Sequence, residues 1–421
     1  MEQFQQSYDM TLNIPERDGG GEYNSSSLYD DQLFVYHEVM KKIHEFITCE
    51  DFNNFKPLRC TVNGPAGTGK TVLVQTIVSA LRKMFGRNDV VKVIAPTGTA
   101  ACNVGGETFH HMAELQVTKR DYVRGSMKGK KRKRLVQRFA HLLCLIADER
   151  SLVTSQVLGT TEQVISETIF GGGHLSHLSW GGLPVVILVG DDYQLQGTEE
   201  GGVKSLSATS NRGAMTANGR RVFKECSETV FKLNQVRRIS DDKQEDKDLM
   251  NRIRLGDDIQ DDDVKRLMKL HIDNIEKQHG YDYVKRIRRD AIYLFYTNEK
   301  RARHNLEMVR ELSSPHNPVA FVRTISTGGA YGKGIRSHFG SSDIPKTALL
   351  FQGAKVAIEK RNFCPLWGLH NGACGIVREI IFNENANPNK GDLPDHVVVE
   401  FPLYTGPAWD KDNPKVCCAP Q

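Results

Sequence analysis

A glycine-rich segment of eight residues constrains the fold of this 421-residue chain more than any other feature. It reads Gly64-Pro65-Ala66-Gly67-Thr68-Gly69-Lys70-Thr71 and fits the pattern G-x-x-x-x-G-K-[ST]. Glycines allow a turn in which backbone N–H groups point at phosphate oxygens. The Lys70 ammonium then pairs with the β- and γ-phosphates, and the Thr71 hydroxyl ligates Mg²⁺. The segment therefore predicts a site for ATP and Mg²⁺ to which all eight residues contribute.

The apolar segments around this loop predict a parallel β-sheet covered by helices. Residues 59–63 form a short apolar run that leads directly into the loop, and residues 72–84 after it have helical spacing. Further apolar runs at residues 90–95, 142–146 and 185–189 have the length of buried strands and alternate with helical patterns. This order is typical of an α/β fold, and together with the loop it predicts a P-loop NTPase.

Acidic and amide side chains follow two of these predicted strands. Asp148 and Glu149 come after the run at 142–146, and Gln194 comes after the run at 185–189. Ligands of open parallel sheets sit at the carboxyl ends of the strands, so we expect these side chains to face the bound phosphates. Asp148 is predicted to hold Mg²⁺, Glu149 to take a proton from the attacking water, and Gln194 to sense the γ-phosphate or position water.

The composition argues against several other classes of protein. The chain has nine cysteines with scattered spacing and no secretory signal, which indicates reduced thiols in an intracellular protein. His174 and His177 have no companion ligands nearby, so they do not predict a metal site. No run of about 18 or more apolar residues is present, and we expect no membrane partner. The net charge of +5 is too small to indicate a nucleic-acid partner by itself.

The segment after the second predicted strand adds a more specific signal. It reads Ala95-Pro96-Thr97-Gly98-Thr99-Ala100-Ala101-Cys102-Asn103-Val104-Gly105-Gly106 and is followed by Thr108-Phe109-His110. With the phosphate loop, this string resembles motif Ia of the Pif-one-like DNA helicases, a family of helicase superfamily one related to RecD. Further similar segments are residues 148–151 (motif II), 190–195 (motif III), 233–238 (motif IV), and 353–356 with 371–377 in the second motor lobe. The resemblance covers residues 28–382.

The resemblance implies an ATP-driven motor that moves 5′ to 3′ on single-stranded DNA and unwinds duplex or forked DNA. It implies that Gln32 reads adenine and that Arg238, an arginine finger, crosses the cleft between two RecA-like lobes. There Arg238 and Lys70 would stabilise charge on the transferring phosphate. DNA-backbone contacts are implied for Pro96, Thr97, Asn103, His110, Thr297 and Asn298. Roles in DNA repair, recombination and telomere maintenance are further expectations, and we expect a monomer.

We expect four regions along the chain. Residues 1–27 are polar and predict a disordered lead-in, and residues 28–215 are expected to form the first RecA-like lobe. Residues 216–382 are expected to form a partial second lobe of the same parallel-sheet type, with a strand at residues 291–296. Residues 383–421 are predicted to be part of a small β-barrel insertion or an irregular tail.

The chain departs from the family pattern in ways that leave its activity open. No string resembles motifs V and VI, which the family places beyond Gln421, so we expect an incomplete second lobe. Gln196 stands where the family has proline, Ile239 where it has glutamine, and Arg150 where it has a small or apolar residue. Two alternatives therefore stay open: a non-catalytic remnant that binds ATP and DNA, and the helicase fragment of a transposable element. For His110 taken alone, the alternative is a buried histidine of the fold.

A run of basic residues lies between motifs Ia and II and has three interpretations. It reads Lys128-Gly129-Lys130-Lys131-Arg132-Lys133-Arg134. Such a run can be a nuclear localisation signal, a phosphate-binding surface for DNA, or a solvated loop. It favours a nuclear protein, with mitochondria as the alternative location. No aromatic residue interleaves with the run, so it does not indicate base stacking.

Overall fold

The computed structural model describes residues 23–52, 54–115, 129–169, 178–194, 206, 213–239, 243–323, 347–358, 363–364, 367–387 and 392–418. The chain divides into two compact units, Met1–Asp258 and Ile259–Gln421. Outside the described residues lie most of the predicted lead-in, His174, His177, Lys128 and Gln196. No helix in the described part of the chain is long and apolar enough to cross a membrane.

The first unit is built on a six-stranded sheet in which every pair of neighbouring strands is parallel. Its strands are β1 (Leu58–Asn63), β2 (Val91–Ala95), β3 (Glu107–Thr108), β4 (Cys144–Ala147), β5 (Val185–Gly190) and β6 (Val230–Lys232). The order across the sheet is β3-β2-β4-β5-β1-β6. The four strands predicted from apolar runs are confirmed with small shifts at their ends, and the α/β fold with them. The short edge strands β3 and β6 carry no such run and were not predicted.

Helices cover both faces of this sheet. In chain order they are α1 (Asp30–Ile47), α2 (Lys70–Phe85), α3 (Gly98–Asn103), α4 (Phe109–Met112), α5 (Gly129–Phe139), α6 (Ser155–Thr168), α7 (Ala214–Cys226) and α8 (Gln244–Leu255). Helix α2 begins directly after the glycine loop and ends at Gly86, whose φ of 61° is left-handed. Glycine adopts this conformation without a steric penalty, so it is a common helix terminator. The predicted succession of strand, loop and helix is thus confirmed.

Alternate residues of the strands pack on opposite faces of the sheet. Ile187 and Val189 of β5 pack against a core that includes the buried stripes of α1 and α2. Val186 and Leu188 pack on the other face, in a core with side chains of α5, α6 and α7. Burying one such side chain contributes about 1.5–3 kcal/mol, so the strand is fixed from both sides. This packing gives the loops at the strand ends a rigid base.

The second unit contains shorter elements around antiparallel strands. Its helices are α9 (Asp261–Lys269), α10 (Ile272–His279), α11 (Tyr281–Asp290) and α12 (Asn298–Leu312). Its strands are β7 (Ala320–Arg323), β8 (Thr347–Leu350), β9 (Lys355–Ala357), β10 (Cys374–Ile381), β11 (His396–Glu400) and β12 (Val416–Cys418). β7 pairs with β8, and the other four form a sheet in the order β12-β11-β10-β9.

The described strands of the second unit pair only in antiparallel fashion, unlike the parallel sheet expected for a second lobe. The strand predicted at residues 291–296 does not form there. Ile292 and Leu294 in this segment are 87% and 92% exposed. A strand needs a neighbour for its backbone hydrogen bonds, and none of the described strands lies beside this segment.

The structure also shifts two predicted boundaries. β6 lies beyond residue 215 but belongs to the first unit, because Lys232 pairs with Asn63 at the end of β1. The predicted boundary between residues 382 and 383 falls inside one hairpin, in which Ile381 of β10 lies opposite His396 of β11. Strand pairing rather than local composition therefore decides where each unit ends.

Helices α6 and α7 approach each other closely because each has a glycine that faces the backbone of the other helix. A Cβ atom at Gly159 of α6 would overlap the carbonyl oxygen of Met215, and one at Gly219 of α7 would overlap that of Ser155. The Asn218 side chain donates a hydrogen bond to the Gly159 carbonyl at 3.0 Å and fixes the contact.

We expect Gly159→Ala to destabilise the first unit by about 3 kcal/mol, because the added methyl group must push two helix backbones apart. The measurement is thermal unfolding followed by circular dichroism, with a fall in Tm of several degrees. Lys224→Ala, at an exposed position of α7, is the control and should leave Tm unchanged. A Gly159→Ala protein as stable as the wild type would contradict this packing.

Candidate functional site

The phosphate loop is the turn between β1 and α2, and its backbone has the shape that the sequence predicts. Gly67 and Gly69 have φ values of 88° and 73°, a left-handed conformation that L side chains rarely adopt. Gly64 N–H donates to the Gly190 carbonyl at 3.2 Å, which ties the start of the loop to the end of β5. The Lys70 ammonium, in the first turn of α2, donates to the carbonyls of Gly64 at 2.7 Å and Pro65 at 2.9 Å.

The pKa of Lys70 depends on its burial and on three nearby carboxylates. Burial lowers the pKa of Lys70, and the carboxylates of Asp191, Glu149 and Asp148 act in the opposite direction. The structure therefore brings the predicted residues Lys70, Asp148 and Glu149 to one place. Asp191 joins them, although the sequence analysis assigned it no role.

Asp148 and Glu149 follow β4 directly, as predicted. Asp148 is only 7% exposed, and this burial raises the pKa of its carboxyl group to about 6. Glu149 has a φ of 50°, which is uncommon for a residue with a side chain. Such conformations cost free energy and concentrate at functional sites. The local strain at Glu149 therefore supports a functional rather than a structural reason for this acid pair.

Thr71 and Gln194 lie at the same edge of the sheet. Thr71 is exposed in the first turn of α2, beside Lys70, and Gln194 is exposed in a turn after β5. That turn is closed by a bond from Gln194 N–H to the Asp191 carbonyl at 3.2 Å. The oxygens of Thr71 and Asp148 are the kind of donor that Mg²⁺ prefers. No group of three or more His, Cys, Asp and Glu in the described part of the chain could hold a metal alone. Mg²⁺ in nucleotide sites is commonly held by one or two protein oxygens together with phosphates and water.

Gln32 is buried and holds the phosphate loop through side-chain hydrogen bonds. Its amide nitrogen donates to the carbonyls of Thr68 at 2.9 Å and Gly69 at 3.3 Å, and its amide oxygen accepts from Tyr29 N–H at 3.0 Å. Both amide hydrogens are thus in use within the fold. Adenine recognition by Gln32 stays a prediction, and it requires adenine to use the remaining lone pair or to displace a loop contact.

The position predicted for Arg238 is wrong, because this arginine belongs to the first unit and does not come from a second lobe. The chain leaves β6 at the same edge as the phosphate loop, and Arg237 N–H donates to the Gly67 carbonyl at 2.8 Å. A Cβ atom at Gly67 would lie 2.7 Å from the Cβ of Arg238. Arg237 stacks its guanidinium on Tyr29, 3.8 Å from the ring centroid. The phosphate-stabilising role of Arg238 stays a prediction.

Two arginines that no sequence pattern predicted at the site neutralise acids at this edge. Buried Arg150, noted only as a departure from the family, pairs with Asp192 at 2.6 Å and packs against Gly190. Arg254 of α8 pairs with Asp191 through two hydrogen bonds of 2.8 and 3.2 Å. No local pattern singles out Arg254, because it is one of several charged residues in a charged helix.

The residues predicted to contact DNA lie in both units. Four of them are in the first unit: Pro96 and Thr97 follow β2, Asn103 is the last residue of α3, and His110 lies in α4 after β3. Thr97 caps α3 by accepting a bond from Ala100 N–H at 3.2 Å, and half-buried His110 has a pKa lowered by its burial. Thr297 caps α12 in the second unit, and Asn298 is its first residue. DNA contact stays a prediction for all six.

We expect Asp148→Asn to stabilise the protein at pH 8 and to have little effect at pH 4. Since the folded pKa of Asp148 is raised, its charged form opposes folding. That penalty is absent below the unfolded pKa of about 3.8 and complete above about 6. The difference is on the order of 3 kcal/mol. Urea unfolding at both pH values measures it, with Glu50→Gln, an exposed carboxyl group, as the control. Equal effects of Asp148→Asn at both pH values would disprove the burial argument.

Comparison with known proteins agrees with the geometry. A family model described as PIF1-like helicase matches residues 28–267 of this chain. The ATP-dependent DNA helicase PIF1 of Saccharomyces cerevisiae is 30% identical over 207 residues, which are 49% of this chain and 22% of that protein. The ATP-dependent DNA helicase Pif1 of Bdellovibrio bacteriovorus is 32% identical over 134 residues, or 32% of this chain and 28% of that protein. The chain thus matches less than a third of the length of either relative.

Solved structures show that the fold is shared. The Pif1 helicase from Candida albicans has a TM-score of 0.54 at 20% identity, over 89% of this chain and 75% of that one. A structure titled for two coordinating Pif1 helicases at forked dsDNA has a TM-score of 0.58 at 20% identity, over 93% and 75%. Bacteroides Pif1 in complex with ADP-AlF3 and ssDNA scores 0.53 at 21% identity, over 87% and 72%. The family model spans more than half of the chain and includes every candidate nucleotide-binding residue, so the chain belongs to the PIF1-like helicase family.

Proposed function

We propose that this chain is the ATP-hydrolysing motor of a DNA helicase. The observation that carries the proposal is the convergence of Lys70, Asp148 and Glu149 at one edge of a parallel sheet, beside a preformed phosphate loop. Membership of the PIF1-like helicase family supports it. The proposed substrates are ATP with Mg²⁺, and DNA.

Each candidate side chain has a separate proposed role in phosphoryl transfer. Thr71 and Asp148 would hold Mg²⁺, which neutralises phosphate charge when bound. Glu149 accepts the proton of the attacking water, and Gln194 orients that water or senses the γ-phosphate. Lys70 and Arg238 stabilise the charge that develops on the transferring phosphate. All six residues lie in the first unit, so nucleotide binding does not need the second.

DNA is the proposed polymer on which the motor acts. Relatives of similar fold are titled as complexes with ssDNA and with forked dsDNA. On this chain, exposed Thr97 and Asn103 and half-buried His110 supply polar groups next to β2 and β3. We propose 5′ to 3′ movement by family resemblance. A monomer, a nuclear location, and service in repair, recombination or telomere maintenance remain proposals of the same kind.

Residues 129–134 of the basic run are helical, and this supports the proposal of phosphate binding. Part of α5 is bonded to the neighbouring segment of the first unit. Arg134 pairs with Glu114 at 2.8 Å, and Lys131 donates to the Glu114 carbonyl at 2.7 Å. Arg138 donates to the carbonyls of His111 and Met112, at the end of the helix that carries His110. These bonds tie the segment to the motif Ia region, which supports phosphate binding as the proposed role.

Three other basic side chains of α5 are exposed to solvent. Lys130, Arg132 and Lys133 are exposed and make no hydrogen bond or ion pair with the described residues. They lie in the first turns of α5, where no acidic residue offsets them. Cations at this end of a helix are unfavourable unless anions are near. We propose that these three side chains bind DNA phosphates beside the motif Ia residues.

A second candidate function is a remnant that binds ATP and DNA without unwinding. The exposed apolar segment at residues 291–296 favours it, since a motor needs a second lobe that closes on the nucleotide. Hydrolysis assays separate the two candidates, because the remnant would bind nucleotide and strand but show no DNA-stimulated turnover.

We expect single-stranded DNA to stimulate ATP hydrolysis by this chain, and Lys70→Ala to abolish that activity. Glu149→Gln should keep ATP binding and reduce hydrolysis at least about a hundredfold, because the general base is lost. Lys83→Ala, an exposed position at the far end of α2, is the control. Unchanged hydrolysis in Lys70→Ala would refute the loop assignment. If the chain is active, duplexes with a 5′ tail should be unwound faster than duplexes with a 3′ tail.

We expect the triple variant Lys130→Gln, Arg132→Gln, Lys133→Gln to bind single-stranded DNA more weakly and with a shallower salt dependence. Each lost phosphate contact lowers the slope of log affinity against log salt by about 0.7, so the slope should fall by about 2. Fluorescence anisotropy with a labelled oligonucleotide at several salt concentrations measures it. The control with the same change of charge replaces Lys41, Lys56 and Lys83, all exposed in the first unit. Equal slopes for the two triple variants would exclude a specific contribution of α5.

A further inference from the structure

Arg254 and Asp191 form a largely buried ion pair near the phosphate loop. Asp191 is the first residue after β5 and is 2% exposed, and Arg254 in the last turn of α8 is 21% exposed. Arg254 Nη2 donates to Asp191 Oδ1 at 2.8 Å, and Nε donates to Oδ2 at 3.2 Å. The guanidinium also lies over Tyr193, 4.4 Å from the ring centroid. The planar guanidinium of Arg254 therefore contacts both carboxylate oxygens of Asp191, and Oδ1 also accepts a hydrogen bond from Tyr193 N–H at 3.1 Å.

Asp191 is a potential competitor for the lysine of the phosphate loop. The Lys70 ammonium bonds to the Gly64 carbonyl, and Gly64 N–H bonds to the carbonyl of Gly190, the residue before Asp191. Asp191 therefore follows directly on the strand end to which the loop is tied, and its negative charge favours the charged form of Lys70. An unpaired carboxylate in a buried position needs a cation, and leaving it without one is costly. If Asp191 lacked Arg254, Lys70, which already interacts with it electrostatically, would be a cation able to take that place. A lysine held in this way would no longer be free to bind phosphate.

The bonds of Lys70 show that this capture does not occur in the intact pair. The Lys70 ammonium donates to the carbonyls of Gly64 and Pro65 and to none of the three carboxylates. A neutral carbonyl holds an ammonium less strongly than a buried carboxylate does, because the carbonyl oxygen has only a partial negative charge and the carboxylate a full one. The phosphates of ATP can therefore displace them at low cost.

We propose that Arg254 is a positioning residue that occupies Asp191 and so keeps Lys70 available for the β- and γ-phosphates of ATP. This inference rests on the proposed function of the loop and deepens it, since it assigns a specific part to an arginine outside the helicase motifs. Arginine suits the task better than lysine because its fork binds both carboxylate oxygens at once and keeps its charge at all relevant pH values. The end of α8 fixes its position: Gly256 has a φ of 75° and its N–H bonds back to the Arg252 carbonyl.

The test is a double-mutant cycle between Arg254 and Asp191, with affinity for a fluorescent ATP analogue as the readout. Arg254→Gln should weaken nucleotide binding about tenfold and raise KM for ATP, with a smaller effect on kcat. Asp191→Asn should bind like the wild type, because it removes the competitor. The double variant Arg254→Gln, Asp191→Asn should regain most of the lost affinity. Arg254→Lys should fall between wild type and Arg254→Gln.

A purely structural role for the pair predicts a different pattern. The double variant would then bind ATP as weakly as Arg254→Gln or more weakly, and that result would overturn the proposal. Arg252→Gln, the same change two residues earlier in α8, is the control for lost helix charge. Circular dichroism checks the fold of each variant, and the comparison of Asp191→Asn with Arg254→Lys decides the question if Arg254→Gln does not fold. If the proposed function itself is wrong, the result is different: the wild-type chain binds no ATP, or Lys70→Ala leaves the affinity for ATP unchanged.

Discussion

The parallel register of β1 with its two neighbours is the constraint on which the candidate site depends. Asn63 at the end of β1 lies opposite Gly190 of β5 on one side and Lys232 of β6 on the other. Three segments therefore leave the sheet at the same level: the phosphate loop, the turn at residues 191–194, and the segment that carries Arg238. A slip of one residue in β5 would turn its apolar side chains to the wrong faces, so core packing and site geometry are specified together.

The same edge of the sheet holds buried charge at a cost to stability. Burial raises the pKa of Asp148 and lowers that of Lys70. The charged form of each side chain is therefore less stable here than it would be in water. Arg150 and Arg254 offset two further carboxylates next to them. Proteins commonly retain such unfavourable groups where function requires them. The arrangement fits a site whose charges are completed by phosphates and a metal ion.

The two units differ in how far their described residues complete a core. In the first unit, two apolar clusters close both faces of one sheet, and every candidate nucleotide-binding residue lies within it. In the second, one cluster packs around the antiparallel strands, while Ile292 and Leu294 remain exposed. The candidate nucleotide site thus lies in a unit whose described core covers both faces of its sheet, whereas the second unit leaves large apolar side chains exposed.

The sequence by itself determined the parts of this protein whose chemistry is local. Glycine spacing fixed the phosphate loop, apolar runs fixed four strands, and the acids after β4 followed from their position. Contacts between residues distant in the chain were decided only by the tertiary structure. Arg238 was predicted in the wrong unit because β6 is too short and too exposed to show a pattern, yet its pairing with β1 places it. Arg254 was missed because its partner lies 63 residues away. Local patterns report backbone geometry and burial, while the pairing of distant charges depends on how the strands and helices assemble.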